Sequence, residues 1–168
     1  TEVSGVAGGV LWHRDSLYAT VVPDLWRLYD TDGDGKAEER ESLSYGYGVH
    51  MGTSGHNMHG PVVGPDGRIY WSIGDIGSNV VGPDGRRWKY PHEGAVFRCE
   101  PDGSDFEVFA HGLRNPQEIA FDPHGNLFTV DNDSDRAGDR ERIVYITRGS
   151  DSGWRIYWQY GGAKHDVW

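Results

Sequence analysis

Val10–Thr20 reads VLWHRDSLYAT, Val62–Ser72 reads VVGPDGRIYWS and Ala120–Val130 reads AFDPHGNLFTV. Laid over one another, each gives two β-formers, a turn of four or five residues, and then a β-branched or Leu residue followed by an aromatic. The unit predicted is a β-hairpin: Pro presets φ at the second turn position, and Gly67 or Gly125 supplies the positive φ where the strand restarts. Starts at 10, 62 and 120 are 52 and 58 residues apart, close to the roughly 40–50 of a propeller blade with some loop insertion. Turn signals at Gly82–Gly85 (GPDG) and Pro101–Gly103 (PDG) place further hairpins between the repeats. Short strands with frequent turns also fit a β-sandwich, but the repeat favours an all-β partial propeller of about three blades. Rings close with about four to eight blades, so residues 1–168 are expected to be the N-terminal half of a propeller whose remaining blades lie outside this chain.

Composition agrees. Of 168 residues 25 are Gly and 8 Pro, and aromatics make up 12%, the balance of a turn-rich chain with an aromatic core. Helical periodicity is scarce; only Lys36–Leu43 (KAEERESL) favours helix on propensity. A formal net charge of −10 argues against nucleic acid as a partner, because that affinity comes from Lys and Arg neutralising phosphates. The lone Cys99 permits neither an internal disulfide nor a cysteine zinc site. No apolar run reaches the length of a transmembrane helix.

The most specific local pattern runs from Asp30 to Glu41, DTDGDGKAEERE, and fits D-x-D-x-D-G-x5-E throughout. Carboxylates at positions 1, 3 and 5 converge on one ion, Gly35 permits the sharp turn and Lys36 offers its carbonyl. Glu41 closes the shell with two oxygens. Asp30, Asp32, Asp34, Lys36, Glu38 and Glu41 are therefore the predicted Ca2+ ligands, in an EF-hand-like loop inserted in the β-fold; the plain alternative is a solvated Asp/Gly turn that holds no ion. The loop lacks an incoming helix: LWRLY before it alternates as a strand, with Leu25, Arg27 and Tyr29 on one face. The ion is read as structural, since a full protein shell leaves little room for substrate.

Two further groupings carry chemistry. His50, His56 and His59 lie within ten residues, and Asp75 follows the second hairpin. An imidazole beside a carboxylate makes a general-base dyad; three histidines at this spacing equally supply metal ligands, and loop histidines without a special role fit as well. Arg114-Asn115-Pro116 is held extended, because the pre-proline position avoids the helical region. A forked guanidinium beside an amide suits a planar anionic ligand, although a plain ion pair is common. The acid-rich run Asp131-Asn132-Asp133-Ser134-Asp135 is a second place for a cation.

Taken together, HNMHGPVVGPDGRIYWSIGD from His56 to Asp75 and GLRNPQEIAFDPHGNL from Gly112 resemble the soluble glucose/sorbosone dehydrogenase family of six-bladed propellers. Gly149-SDS-Gly153-Trp154 is similar to that family's G-x-x-x-G-W segment. The calcium loop with paired His56 and His59 most resembles one branch, the "membrane-bound dehydrogenase domain" of large secreted bacterial proteins, often followed by a C-terminal c-type haem domain. The resemblance implies a quinoprotein dehydrogenase that binds pyrroloquinoline quinone (PQQ) and Ca2+ at the propeller mouth. It oxidises a sugar or alcohol by hydride transfer and passes electrons to a c-type cytochrome. His56 falls on the general base, Asp75 on its orienting carboxylate, and Arg114 and Asn115 on the pair that holds the quinone oxygens. Arg114 there also stabilises developing charge. Asn132 and Asp133 match the region of the cofactor's calcium. His59 stands where the sugar dehydrogenases usually carry a small residue. A periplasmic or extracellular location follows from the same resemblance. The alternatives are a non-catalytic, calcium-stabilised propeller that binds carbohydrate or protein, and a metal-dependent lactonase-like hydrolase.

Overall fold

In the computed structural model, which describes residues 2–50, 55–132, 138 and 140–155, every regular element is a β-strand. The first sheet joins β1 (Val6–His13), β2 (Ser16–Val22), β3 (Asp24–Tyr29) and β4 (Glu39–Tyr45) in chain order, all antiparallel. The second is built from β5 (Met58–Val63), β6 (Ile69–Ile73), β9 (Gly94–Cys99) and β10 (Glu107–Leu113), again in chain order. A separate hairpin, β7 (Ser78–Val81) and β8 (Arg87–Tyr90), is inserted between its second and third strands. The third comprises β11 (Pro116–Phe121), β12 (Leu127–Asp131) and β13 (Arg142–Ile146).

The three repeated hairpins are the first turn of each sheet, so the reading of three blades in series holds. Gly67 and Gly125 take φ of 81° and 83°. The first repeat uses a tighter turn than the other two: Arg14 and Asp15, both at positive φ, link His13 directly to its partner Ser16. GPDG turns the inserted hairpin, and PDG joins β9 to β10.

First strands of successive sheets lie side by side, β1 against β5 and β5 against β11. A Cβ on Gly8 would fall 1.8 Å from the Met58 carbonyl oxygen, and one on Gly9 2.5 Å from Gly60 Cα. Backbones therefore touch along the axis, where only glycine fits, and the sheets radiate from it as blades of a partial β-propeller.

The middle blade is buried on both faces, and its period-2 alternation sorts the core. Ile69, Trp71, Ile73, Ala95, Phe97 and Cys99 pack toward the first blade with Tyr18, Leu25 and Tyr47. Tyr70 and Val96 pack toward the third, with Ile119, Leu127 and Ile146. Trp71 stacks on Phe97 at 5.7 Å, and Tyr47 meets Phe97 edge-on at 5.1 Å. At ~25 cal/mol per Å2, each such ring brings roughly 4–6 kcal/mol of gross burial energy. Burial also pushes the Cys99 thiol up to about 12, so it stays protonated.

Helix propensity over Lys36–Leu43 is overridden. Glu39–Tyr45 is β4, with Leu28 opposite Arg40 and Arg27 opposite Glu41, and Arg40 lies 5.3 Å over the Trp26 ring. Eight residues form at best a marginal helix in water, whereas a waiting strand edge offers ladder bonds and cross-strand pairs. LWRLY before the loop is strand β3, as its alternation predicts.

Candidate functional site

Antiparallel connection sends the start of the first strand and the end of the second to one end of each blade, and the tight turn between them to the other. The turns line up: a Cβ on Gly67 would lie 3.9 Å from the Arg14 guanidinium, and one on Gly125 3.3 Å from Pro65. His56, two residues before β5, and Asp75, two after β6, therefore share the opposite end with Arg114-Asn115 between β10 and β11. The segment after β13 reaches the same place.

His56 Nδ1 lies 2.7 Å from Asp75 Oδ1, both side chains buried. A carboxylate accepts, so Nδ1 carries the proton and Nε2 keeps the lone pair needed by a base. The second Asp75 oxygen accepts the indole N–H of Trp154 at 2.9 Å. The backbone N–H of Asp75 donates to the Arg114 carbonyl at 2.8 Å, which ties the dyad to the next loop. Gly74 is where these parts converge: a Cβ there would come within 2.8 Å of both His56 and Asn115.

Arg114 and Asn115 are almost fully buried. Their backbone N–H groups both donate to Asp131 Oδ1, at 3.0 and 2.7 Å, and Asp131 Oδ2 accepts from Arg142 at 2.9 Å. Asp131, considered above as part of a cation-holding run, thus serves as the anchor of the Arg-Asn loop. The Arg114 guanidinium sits 5.6 Å over the Trp154 ring. The Oδ1 atom of Asn132 is buried with no hydrogen-bond partner among the described residues. Asp133, its expected companion, lies outside the described residues, as do Ser134 and Asp135.

The three clustered histidines take different partners. His59 Nε2 is 3.1 Å from Asn115 Oδ1, and burial holds the ring below the usual histidine range, so it is neutral at pH 7. His50 Nε2 is 3.0 Å from His92 Nδ1, with the rings stacked. Among the described residues no group of metal-ligating side chains includes His50, His56 or His59. A second histidine–carboxylate pair lies close by: His111 Nδ1 is 2.8 Å from Glu93, whose carboxylate also receives Arg155 at 2.9 Å.

The acidic loop sits at the far end, beside the first hairpin turn. Asp30 accepts the N–H groups of Gly33 and Gly35 at 2.7 and 2.9 Å, Asp32 that of Asp34 at 3.1 Å, and Asp34 that of Lys36 at 2.8 Å. Asp30, Asp32, Asp34 and Glu38 each offer an oxygen within 4.8 Å of the others. These backbone contacts fold the loop so that four hard oxygen donors converge, which suits Ca2+. Lys36 Nζ lies 3.4 Å from Asp34. Glu41 stands apart on β4, where its carboxylate accepts the Tyr29 hydroxyl at 2.7 Å. In the fold it is Glu38 that joins the three aspartates.

The profile of a family described as "Domain of unknown function (DUF7133)" matches residues 4–152. The chain belongs to this family. It is also 28% identical over 120 residues to quinoprotein glucose dehydrogenase B of Acinetobacter calcoaceticus, covering 55% of this chain and 24% of that protein. Its fold superimposes on a Thermus thermophilus protein described as an oxidoreductase (glucose dehydrogenase), with a TM-score of 0.65 at 19% identity, over 93% of this chain and 54% of that one. A second structure, described as a glucose dehydrogenase, gives 0.62 at 16% identity over 83% and 45%. The chain thus spans about a quarter of the curated relative and about half of each structure. At these identities the structural likeness establishes the propeller fold.

Trp154, Asp131 and the Glu93–His111 pair were not singled out for these roles by the sequence. Trp154 belongs to the G-x-x-x-G-W segment, yet nothing local ties an indole to a carboxylate 79 residues away.

Proposed function

We propose that this chain supplies the base-bearing part of a PQQ-dependent sugar or alcohol dehydrogenase domain. The observation that carries the reading is the buried His56–Asp75 pair beside the Arg114–Asn115 loop at one end of the propeller. Similarity to a quinoprotein glucose dehydrogenase supports it. The donor set fits the cofactor: a buried guanidinium and an amide suit quinone and carboxylate oxygens, and the Asn132 oxygen, unpartnered among the described residues, suits a calcium ligand.

Bound PQQ supplies the two-electron acceptor for the hydride of the substrate's hydroxyl carbon. The protein's part is proton handling and charge placement. Nε2 of His56 takes the hydroxyl proton, while Asp75 fixes the tautomer and stabilises the imidazolium that forms. Arg114 and Asn115 would hold the cofactor's oxygens, and the Arg114 guanidinium would place a cation beside them. Asn132 would offer its buried Oδ1 to the cofactor's calcium. Neutral His59 packs beside Asn115, with its Nε2 3.1 Å from the Asn115 Oδ1.

The acidic loop binds a second, structural Ca2+. Further blades complete a six-bladed ring in the full-length protein, which belongs to the branch of large bacterial proteins carrying a c-type haem domain, and a c-type cytochrome takes the electrons. This kinship supports a periplasmic or extracellular location. No helix among the described residues is long and apolar enough to cross a membrane.

The direct test is PQQ binding by the full-length protein with Ca2+, followed by absorbance and by dye reduction with aldoses and primary alcohols. Saturable binding that weakens at least tenfold in Arg114→Ala is expected. No binding by the unaltered protein overturns the reading.

A further inference from the structure

The aspartate of the proposed dyad has a second oxygen, and the fold dedicates a buried donor to it. Trp154 is fully buried, and its indole N–H donates to Asp75 Oδ2 at 2.9 Å while Oδ1 faces His56 at 2.7 Å. The donor comes from a different blade. Asp75 follows the second strand of the middle blade, whereas Trp154 lies beyond the last strand of the third.

The segment carrying Trp154 is laced down along its length. His111 N–H donates to the Ser150 carbonyl and Ser152 N–H returns to the His111 carbonyl, both at 3.0 Å, and Trp154 N–H donates to the Gly112 carbonyl at 2.8 Å. Gly112 lets this happen: at φ 75°, a Cβ would fall 2.0 Å from Asp151 Oδ1. Arg155 then clamps the segment, with Nη2 on Asp151 at 2.7 Å and Nη1 on Glu93 at 2.9 Å. The face of the same indole receives the Arg114 guanidinium.

We propose that Trp154 is a positioning residue for the His56–Asp75 dyad, delivered across the blade boundary by the Ser150–Arg155 strap. A carboxylate held by one partner rotates about its terminal bond; held by two at opposite oxygens, it has one orientation. Fixing that plane keeps Oδ1 on Nδ1–H and leaves Nε2 as the basic nitrogen. Removing the indole donor leaves a buried oxygen unpaired and frees the carboxylate, so the His56 ring drifts toward the Nε2–H tautomer preferred by free imidazole. The same ring ties Arg114 to the dyad, so base and proposed cofactor grip share one support. This inference rests on His56 acting as the base of the proposed dehydrogenase, but its geometric content is testable without cofactor.

The test replaces Trp154 by benzothienylalanine, which keeps the bicyclic shape and puts sulfur where the N–H was; Trp154→Phe is the encoded counterpart. Histidine side-chain 15N shifts on the full-length protein report the His56 tautomer. We expect a predominantly Nδ1–H form in the unaltered protein and a loss of at least half of it in the isostere, with the melting temperature within a few degrees. Dye reduction by PQQ-loaded protein should fall about tenfold in kcat with KM for substrate unchanged, a part of the roughly 10²–10⁴ that a placed general base contributes. Should either variant fail to fold, the Trp154 indole N–H resonance of the unaltered protein serves instead: it should exchange slowly and move on Asp75→Asn. An unchanged His56 tautomer in a folded isostere, or an indole resonance indifferent to Asp75→Asn, overturns the proposal. A tautomer shift without dye reduction in any form upholds Trp154 and refutes the dehydrogenase reading instead.

Discussion

Asp131 Oδ1 accepts the backbone N–H of Asn115 at 2.7 Å, so a fully buried carboxylate from the third blade fixes the loop that leaves the second. The same oxygen takes the Arg114 N–H, and the other takes Arg142. Asp131→Ala leaves two buried N–H groups and an arginine without their acceptor, a loss of about 3–5 kcal/mol. Urea unfolding checks this; a cost below about 1 kcal/mol would mean that water replaces the carboxylate.

Calcium should act through the loop's four converging carboxylates. Millimolar Ca2+ is expected to raise the melting temperature, and Asp32→Ala and Glu38→Gln to abolish the gain. Glu41→Gln should keep most of it, because Glu41 faces Tyr29. Calorimetry with and without chelator decides; equal loss in the Glu41 variant would restore the full EF-hand-like ligand set. The Thr31 N–H holds the Glu38 carboxyl below its usual 4.5. Its depressed value means that stability from this contact is present above 4.5 and lost as pH falls through the lower folded value, so in chelator the melting temperature should decline on acidification below about 4.5.

His59 makes a separate pH prediction. Burial lowers its folded pKa below the ordinary 6.5. As pH drops through 6.5 the unfolded chain takes up a proton that the folded ring refuses, so stability declines from there down to the folded value. Melting temperatures between pH 7.5 and 5 should fall less steeply in His59→Gln than in the unaltered protein. Parallel curves would show that His59 protonates freely in the fold.

What was legible in the sequence was local. Three hairpins, the PDG turns and strand β3 follow from turn chemistry and period-2 alternation, which a few neighbouring residues determine. The His56–Asp75 and Arg114–Asn115 pairs were visible because each element end carries its own motif. Convergence was not. Trp154 reaches Asp75 only because the third blade's trailing segment folds back along β10, and Asp131 became an anchor only when β12 ended beneath the Arg-Asn loop. KAEERESL misleads on propensity because β3 offers it a ladder that no local signal reveals.

Large apolar side chains are exposed on the first and third blades. Val10 and Trp12 on the first blade are 68% and 63% exposed, and Ile143 on the third is 80% exposed. Exposed apolar surface of this kind favours association. The isolated 168-residue chain should self-associate at micromolar concentration, and Val10→Lys with Ile143→Lys should shift it toward monomer in analytical ultracentrifugation. A monomeric unaltered chain would show that these side chains need no cover.

The central claim is that His56, oriented by Asp75, is the base of a quinone-dependent oxidation. It is tested most directly by steady-state dye reduction in the full-length protein loaded with PQQ and Ca2+, comparing the unaltered protein with His56→Asn. The account predicts turnover with a sugar or alcohol and a fall in kcat of about 10²–10⁴ in the variant, with PQQ affinity retained. Full activity in His56→Asn, or no turnover by an unaltered protein that binds PQQ, would contradict it.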